Sequence, residues 1–172
     1  MQLFRELPGE YYAASTAILT GDLVVGRHAS FWFGSVVRGD LARITLGQRV
    51  NVQDQVIIHC DVGVPIVIED DVSIGHRAVI HGHYVGAGSL IGIGAVLLSH
   101  SRIGRNCLVA AGAVVPPELV IPDNSVVMGV PGRIVRSVSI DELNHMQRLP
   151  SHYVQLAQRY LRGAVSVRES AP

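Results

Sequence analysis

The chain has 172 residues, 16% of them charged and 48% hydrophobic, with fourteen basic side chains against fourteen acidic ones. That is the length of one domain, and the balanced charge excludes a surface built to hold nucleic acid or another polyanion. No apolar run approaches the roughly 18 residues of a membrane span, and no basic stretch leads into a signal-length apolar segment, so a soluble, cytoplasmic protein with no membrane partner is expected.

Charged residues fall below the globular norm of about 25%, so much of the surface is expected to be covered, most simply by further copies of the chain. Cys60 and Cys107 lie far apart without paired-ligand spacing. That predicts a reducing compartment and no disulfide framework.

After a lead-in of about twenty residues, an apolar residue recurs at every sixth position: Val25, Phe31, Val37; Leu46, Val52, Ile58; Ile68, Ile74, Ile80; then from Val85 through Ile91, Leu97, Ile103, Val109, Val115 and Ile121 to Val127. Gly often follows it, and a small residue such as Ala29, Ser35, Ala78, Ser89 or Ala113 sits four places on. A unit with one apolar residue, one small residue and a corner is a short strand and a bend. Three units close one triangular coil, and stacked coils pair as parallel strands about 4.8 Å apart. The fold class expected is an all-β solenoid, a parallel β-helix of hexapeptide repeats over residues 1–135 with coils from about 20 to 130, followed by a C-terminal α-helical segment and tail over 136–172.

The period breaks three times, between Val37 and Leu46, Ile58 and Ile68, and Ile80 and Val85. Each break follows the third strand of a coil, so all three fall on one corner of the prism, where loop variation in repeat proteins marks the working face.

Beyond Val127 the sequence reads as a turn, an extended link and helix. Ser139 and Glu142 have the spacing of a capping box, Pro150 either breaks that helix or starts a second one, and Tyr153, Leu156, Ala157 and Tyr160 form an apolar stripe that predicts packing on the coils or on a neighbouring subunit. A frayed tail is expected after Gly163.

Arg38, His59 and His81 each follow the third inward residue of their coil, so they are expected to stack on one outer face. The Cα atoms of His59 and His81 would then lie about 5 Å apart, near enough for two imidazoles to share one metal ion. His76 follows Ile74 by two, near another corner, and is poorly placed to complete that site within one chain. In a cyclic homotrimer, His76 of one subunit would face His59 and His81 of the next, giving three equivalent interface ions. His28, His100, His145 and His152 read as surface histidines, His83 as either a lining residue or a surface one, and Cys60 as a buried or rim thiol.

The stretches "RGD" at Arg38 to Asp40, "NVQD" at Asn51 to Asp54, "VIIH" ending at His59, "IGHRAVIHG" from Ile74 to Gly82 and "GVPGRIVR" from Gly129 to Arg136 resemble the γ-class carbonic anhydrase-like proteins, over about Tyr11 to Leu161. The resemblance implies a left-handed winding, a homotrimer, and zinc or ferrous iron held by His59 and His81 of one chain and His76 of the next. It also implies hydroxide generated at the metal that converts CO2 to bicarbonate, with Gln53 orienting the nucleophile or substrate, Asn51 positioning Gln53, Arg38 and Asp40 paired near the interface, and Asp54 supporting the Arg network. A trimer salt bridge without catalytic duty is the alternative for Arg38 and Asp40.

One departure stands out. The best-characterised active branch of the family carries acidic proton shuttles directly after the Asp of the Arg-containing motif and in a long insertion after the first metal His. Here Leu41 follows Asp40, and only Asp61 is acidic between Cys60 and Ile66. Slow or absent CO2 hydration is one expectation. Two other function classes suit the same scaffold: acyl transfer or thioester hydrolysis on coenzyme A thioesters, and a non-catalytic trimeric assembly stapled by metal.

Overall fold

Units of one apolar and one small residue fold into strands two or three residues long joined by tight corners. The computed structural model, which describes residues 2–165, stacks them into a parallel β-solenoid of about 6 turns followed by one helix. The first face is built from Tyr11–Ala14, Ser30–Phe31, Asn51–Val52, Ser73–Ile74, Leu90–Ile91, Leu108–Val109 and Ser125–Met128. The second runs through the first parts of Ile18–Val25 and Val36–Leu46, then Ile57–His59, Val79–Ile80, Val96–Leu97 and Val114–Val115. The third takes the later parts of those two long strands, then Ile66–Ile68, Tyr84–Val85, Arg102–Ile103 and Val120–Ile121.

The sixth-position residues are the core. Phe31 through Val127 are buried at every member of the series, each aliphatic side chain contributing about 1.5–3 kcal/mol. Val25 is only half-buried, because its coil is the first on the third face and has no strand beyond it. The small residues are buried at the corners, where a larger side chain would meet the adjoining coil.

Most corners share a backbone device that the period did not reveal. The residue three after the inward one has positive φ, as at His28, Arg49, Gln55, Asp71, Arg77, His100, Asn106, Glu118 and Asn124, and at Gly34, Gly88, Gly94 and Gly112. Corners between the second and third faces lack it until His100. There, as expected, lie the three breaks. The first is not a loop: Val36–Leu46 is one bent strand paired with Ile18–Val25. The bend depends on close backbone approach, since a Cβ on Gly39 would sit 2.8 Å from Asp22 O and one on Gly21 would sit 2.3 Å from Gly39 C.

The outward positions of the second face form an unbroken β-branched ladder of Ile18, Val36, Ile57, Val79, Val96 and Val114. The first face is covered differently. Helix Ile140–Leu161 packs against the lead-in strand Phe4–Leu7 and against Ser30–Phe31 and Ser73–Ile74, so it runs back along the stack. Ala157 is fully buried, Tyr153 stacks edge-on to Trp32 at 5.3 Å, and Tyr160 lies 5.0 Å from Phe4.

The capping box forms as expected, Ser139 accepting from Glu142 N while Glu142 accepts from Ser139 N. Pro150 neither breaks the helix nor starts a second: it lies inside a single helix and is buried together with Met146 and Ala157. Burial of the apolar stripe against the coils outweighs the local penalty of about 3 kcal/mol for an interior proline. The expected frayed tail lies, from residue 166 on, outside the described residues.

Candidate functional site

The second face has two edges, and the residues singled out above divide between them. At the edge shared with the third face, Arg38 pairs in register with His59, and Ile58 with Ile80, which brings His81 beside His59. The two imidazole rings lie 5.5 Å apart between centroids, tilted by 37°. Each ring meets a carboxylate from the preceding coil: His59 Nε2 is 3.1 Å from Asp40 Oδ1, and His81 Nε2 is 2.9 Å from Asp61 Oδ1. Arg38 pairs with the other oxygen of Asp40.

These contacts set the charge of the edge. Desolvation acts to raise the Asp40 carboxyl, but hydrogen bonds from Arg38 and His59 outweigh it and hold Asp40 below the ordinary carboxylate value. His81, and then Ser99, hold Asp61 below it too. Two anionic oxygens therefore sit beside two imidazoles, an environment that favours a cation. Sequence reasoning placed the histidines in register but gave no sign of these partners, because Asp40 and Asp61 lie in the aperiodic segments.

The opposite edge, shared with the first face, carries His76. Its Nδ1 lies 2.8 Å from Asp54 Oδ2, which leaves Nε2 as the nitrogen able to take a metal. Asp54 accepts a hydrogen bond from Phe33 N at 3.2 Å, and none of its described contacts is to an arginine of its own chain. Gln53 is on this edge as well, not beside His59. Its Nε2 donates to Asn51 Oδ1 at 3.0 Å, and Asn51 Nδ2 donates to Ser73 Oγ at 2.7 Å, so the amide is held by a buried relay. A cleft of about 290 Å³ opens here, lined by Asp54, Gln55, His76, Arg77 and Ile93.

Two exposed aliphatic residues near these edges, Ile93 and Val62, escaped the sequence reading because nothing in their type announces chemistry. Ile93 is exposed and stacks one coil beyond His76, where Gly94 N donates to His76 O. Leu41 and Val62 are exposed on the other edge, directly after Asp40 and Asp61, and Gly63 N donates to Leu41 O at 3.2 Å. Tyr153 reaches the His76 edge from the helix: burial, and then the charge of Asp54, push its phenol above the ordinary value. His83 Nδ1 lies 2.7 Å from Pro65 O, and Cys60 is buried with its thiol toward Ala42 O.

Among the described residues no group of three His, Cys, Asp or Glu side chains in one chain is arranged to hold a metal. The side chains are nevertheless of a type that a divalent metal ion can take as donors, two imidazoles on one edge and a third, with a carboxylate behind it, on the other. Such residues would meet at one ion only with the two edges supplied by different copies of the chain.

Residues 82–117 match the family model described as bacterial transferase hexapeptide (six repeats). The chain is 37% identical to a carbonic anhydrase of Geobacillus kaustophilus over 90% of its own length and 85% of that protein. It is 41% identical to a probable carbonic anhydrase of Methanocaldococcus jannaschii over 84% of this chain and 91% of that one. Among solved structures, a putative acetyltransferase of Bacillus cereus superposes with a TM-score of 0.81 at 35% identity, covering 87% of this chain and 91% of the other.

Proposed function

The chain belongs to the γ-class carbonic anhydrase family of hexapeptide-repeat proteins, and from that membership we propose that it catalyses the metal-dependent, reversible hydration of CO2 to bicarbonate at the interfaces of a homotrimer. The observation that carries the proposal is the division of the histidines, with His59 and His81 on one edge of the second face and His76 on the other edge of that same face.

Coil geometry supports the trimer. Successive coils are about 4.8 Å apart, so the chain climbs about 1.6 Å in crossing one face. His76 begins the second face of the coil that ends in His81, so it stands about 3.2 Å beyond His59 and about 1.6 Å short of His81. A threefold axis parallel to the stack keeps these heights in every copy, and the neighbour's His76 then falls between the two. The aliphatic ladder of the second face would line that axis. The same heights set the neighbour's Asp54 between Arg38 and His59, so the expected support of Asp54 for the arginine would run across the interface.

A divalent ion held by His59, His81 and the neighbour's His76 would supply a Lewis acid that brings the pKa of a water toward neutrality. The protein's own contribution is orientation and exclusion. With Nε2 of Gln53 engaged by Asn51, its carbonyl oxygen is presented as an acceptor for the attacking water. Asp54 fixes the His76 ring, and the Arg38 and Asp40 pair presents a guanidinium and a carboxylate beside His59. Leu41, Val62 and Ile93 are exposed, and in such an assembly they would add aliphatic surface beside the site, which would suit a small uncharged substrate.

The test is stopped-flow CO2 hydration on protein loaded with zinc and, anaerobically, with ferrous iron, with His81→Ala as the blank. A rate above the blank is expected with at least one metal, and none with filled sites would overturn the activity. A second reading, acyl transfer from a coenzyme A thioester, draws on the 35% identical structure described as a putative acetyltransferase. Turnover of acetyl-coenzyme A would favour it.

A further inference from the structure

Asp61 is the one acidic residue between Cys60 and Ile66, and the fold gives its carboxylate a fixed place. The segment that carries it is anchored on both sides. Cys60 is buried with its thiol 3.3 Å from Ala42 O, Val64 N closes a turn by donating to Asp61 O at 3.1 Å, and Gly63 N donates to Leu41 O at 3.2 Å.

From there the side chain crosses to the next coil, where Oδ1 lies 2.9 Å from His81 Nε2. The Ser99 side chain, from the coil beyond His81, hydrogen-bonds the same carboxylate, and Ser99 O accepts from Glu118 N at 3.0 Å. Residues of three successive coils thus hold one carboxylate against one ring.

The two carboxylates of this edge are not equivalent. Asp40 divides its oxygens between His59 and Arg38, so its charge is shared with a guanidinium. Asp61 meets no arginine among the described residues, and the ring of His81 is its first partner. On the opposite edge Asp54 stands in a like relation to His76, at 2.8 Å. A carboxylate on one nitrogen of an imidazole fixes the tautomer, restrains rotation of the ring and makes it a better donor to a metal ion.

We propose that Asp61 is the positioning residue of His81, holding the imidazole in the orientation and tautomer in which it serves a divalent ion. The inference rests on the metal-binding reading given above and adds a residue to it. It also gives Asp61 a task other than carrying protons to solvent. A carboxylate tied to both His81 and Ser99 is not free to swing between an ion and bulk water.

Zinc affinity, measured by competition with a chromophoric chelator, tests the assignment without reference to turnover. His81→Ala is the reference and is expected to lose the interface zinc. Asp61→Asn is expected to bind zinc about 10–100-fold more weakly than the wild type, with an unchanged circular dichroism spectrum. Ser99 makes no described contact with a histidine side chain, so Ser99→Ala loosens only the carboxylate. It is expected to weaken binding by a smaller factor, and the double variant to be no weaker than Asp61→Asn alone. Should Asp61→Asn misfold, Ser99→Ala carries the test.

Wild-type affinity in the folded variants would overturn the assignment. Tighter binding by Asp61→Asn would overturn it too, because the carboxylate would then compete with the ion for the ring. Losses that multiply in the double variant would show that Ser99 acts by another route, and would count against it equally. Wild-type protein that binds zinc no better than His81→Ala would instead refute the metal reading itself, and this inference with it.

Discussion

His76 Nδ1 lies 2.8 Å from a carboxylate oxygen of Asp54, one coil back on the same edge of the prism. A carboxylate behind a ligating imidazole fixes its tautomer and raises its basicity, and losing one typically lowers metal affinity by about 10–100-fold. Asp54→Asn is expected to bind zinc more weakly by that factor while the coils stay folded. Competition with a chromophoric chelator measures it, and unchanged affinity would remove Asp54 from the site.

Gly82 separates His81 from His83, and a Cβ there would stand 2.6 Å from Ser101 Oγ, with Ser101 O next at 3.3 Å. Gly82→Ala should therefore overpack the corner and cost about 1–3 kcal/mol. Ser101 Oγ is buried without a hydrogen-bond partner, so Ser101→Ala alone should be neutral or stabilising. Added to Gly82→Ala, it should recover most of the loss. Urea unfolding of the four proteins checks this, and an additive pair would show that the clash is not the cause.

Glu142 is held at about 2, below its ordinary 4.5, by Arg136 and then by Ser139 N. A depressed carboxyl stabilises the fold above its unfolded value. That contribution is fully present above pH 4.5, declines as pH falls toward about 2, and is absent below. Glu142→Gln should lose this pH dependence while keeping the rest of the acid profile. Ser139→Ala, which removes the other half of the capping box, should cost about 1 kcal/mol at neutral pH. Thermal unfolding across the acid range reads both effects.

Leu41 and Val62 put aliphatic surface on the edge of the proposed site where a carboxylate chain to solvent would otherwise run. If CO2 hydration is present, its rate should rise with the concentration of an external buffer such as imidazole, because proton removal then falls to the solvent. A rate independent of buffer, measured by stopped flow at constant ionic strength, would point to a relay within the protein.

The sixth-position series was enough to register every coil, because an inward aliphatic residue has no alternative placement in so narrow a prism. The same register paired His59 with His81 and set His76 on another corner. Sequence could not show that Arg49, Arg77 and Glu118 adopt positive φ, since corner closure imposes a backbone that those side chains do not prefer. Nor did it show a helix passing through Pro150, where tertiary burial decides against local propensity. Asp40 and Asp61 found their histidine partners in segments that obey no period, and Tyr153 reached the His76 edge only through the packing of a helix on the first face.

The left-handed corners have a consequence for how such a chain can change. At two of the three edges, every described coil after the first is closed by one residue with positive φ at a fixed count, so an inserted residue there would throw all later coils out of phase. The third edge is exempt in its early coils, where the strand bends or loops without that count. Residues can be gained or lost there while the ladder on either side keeps step. Chain length, and with it the surroundings of His59 and His81, is free to drift on the one margin where drift leaves the scaffold untouched.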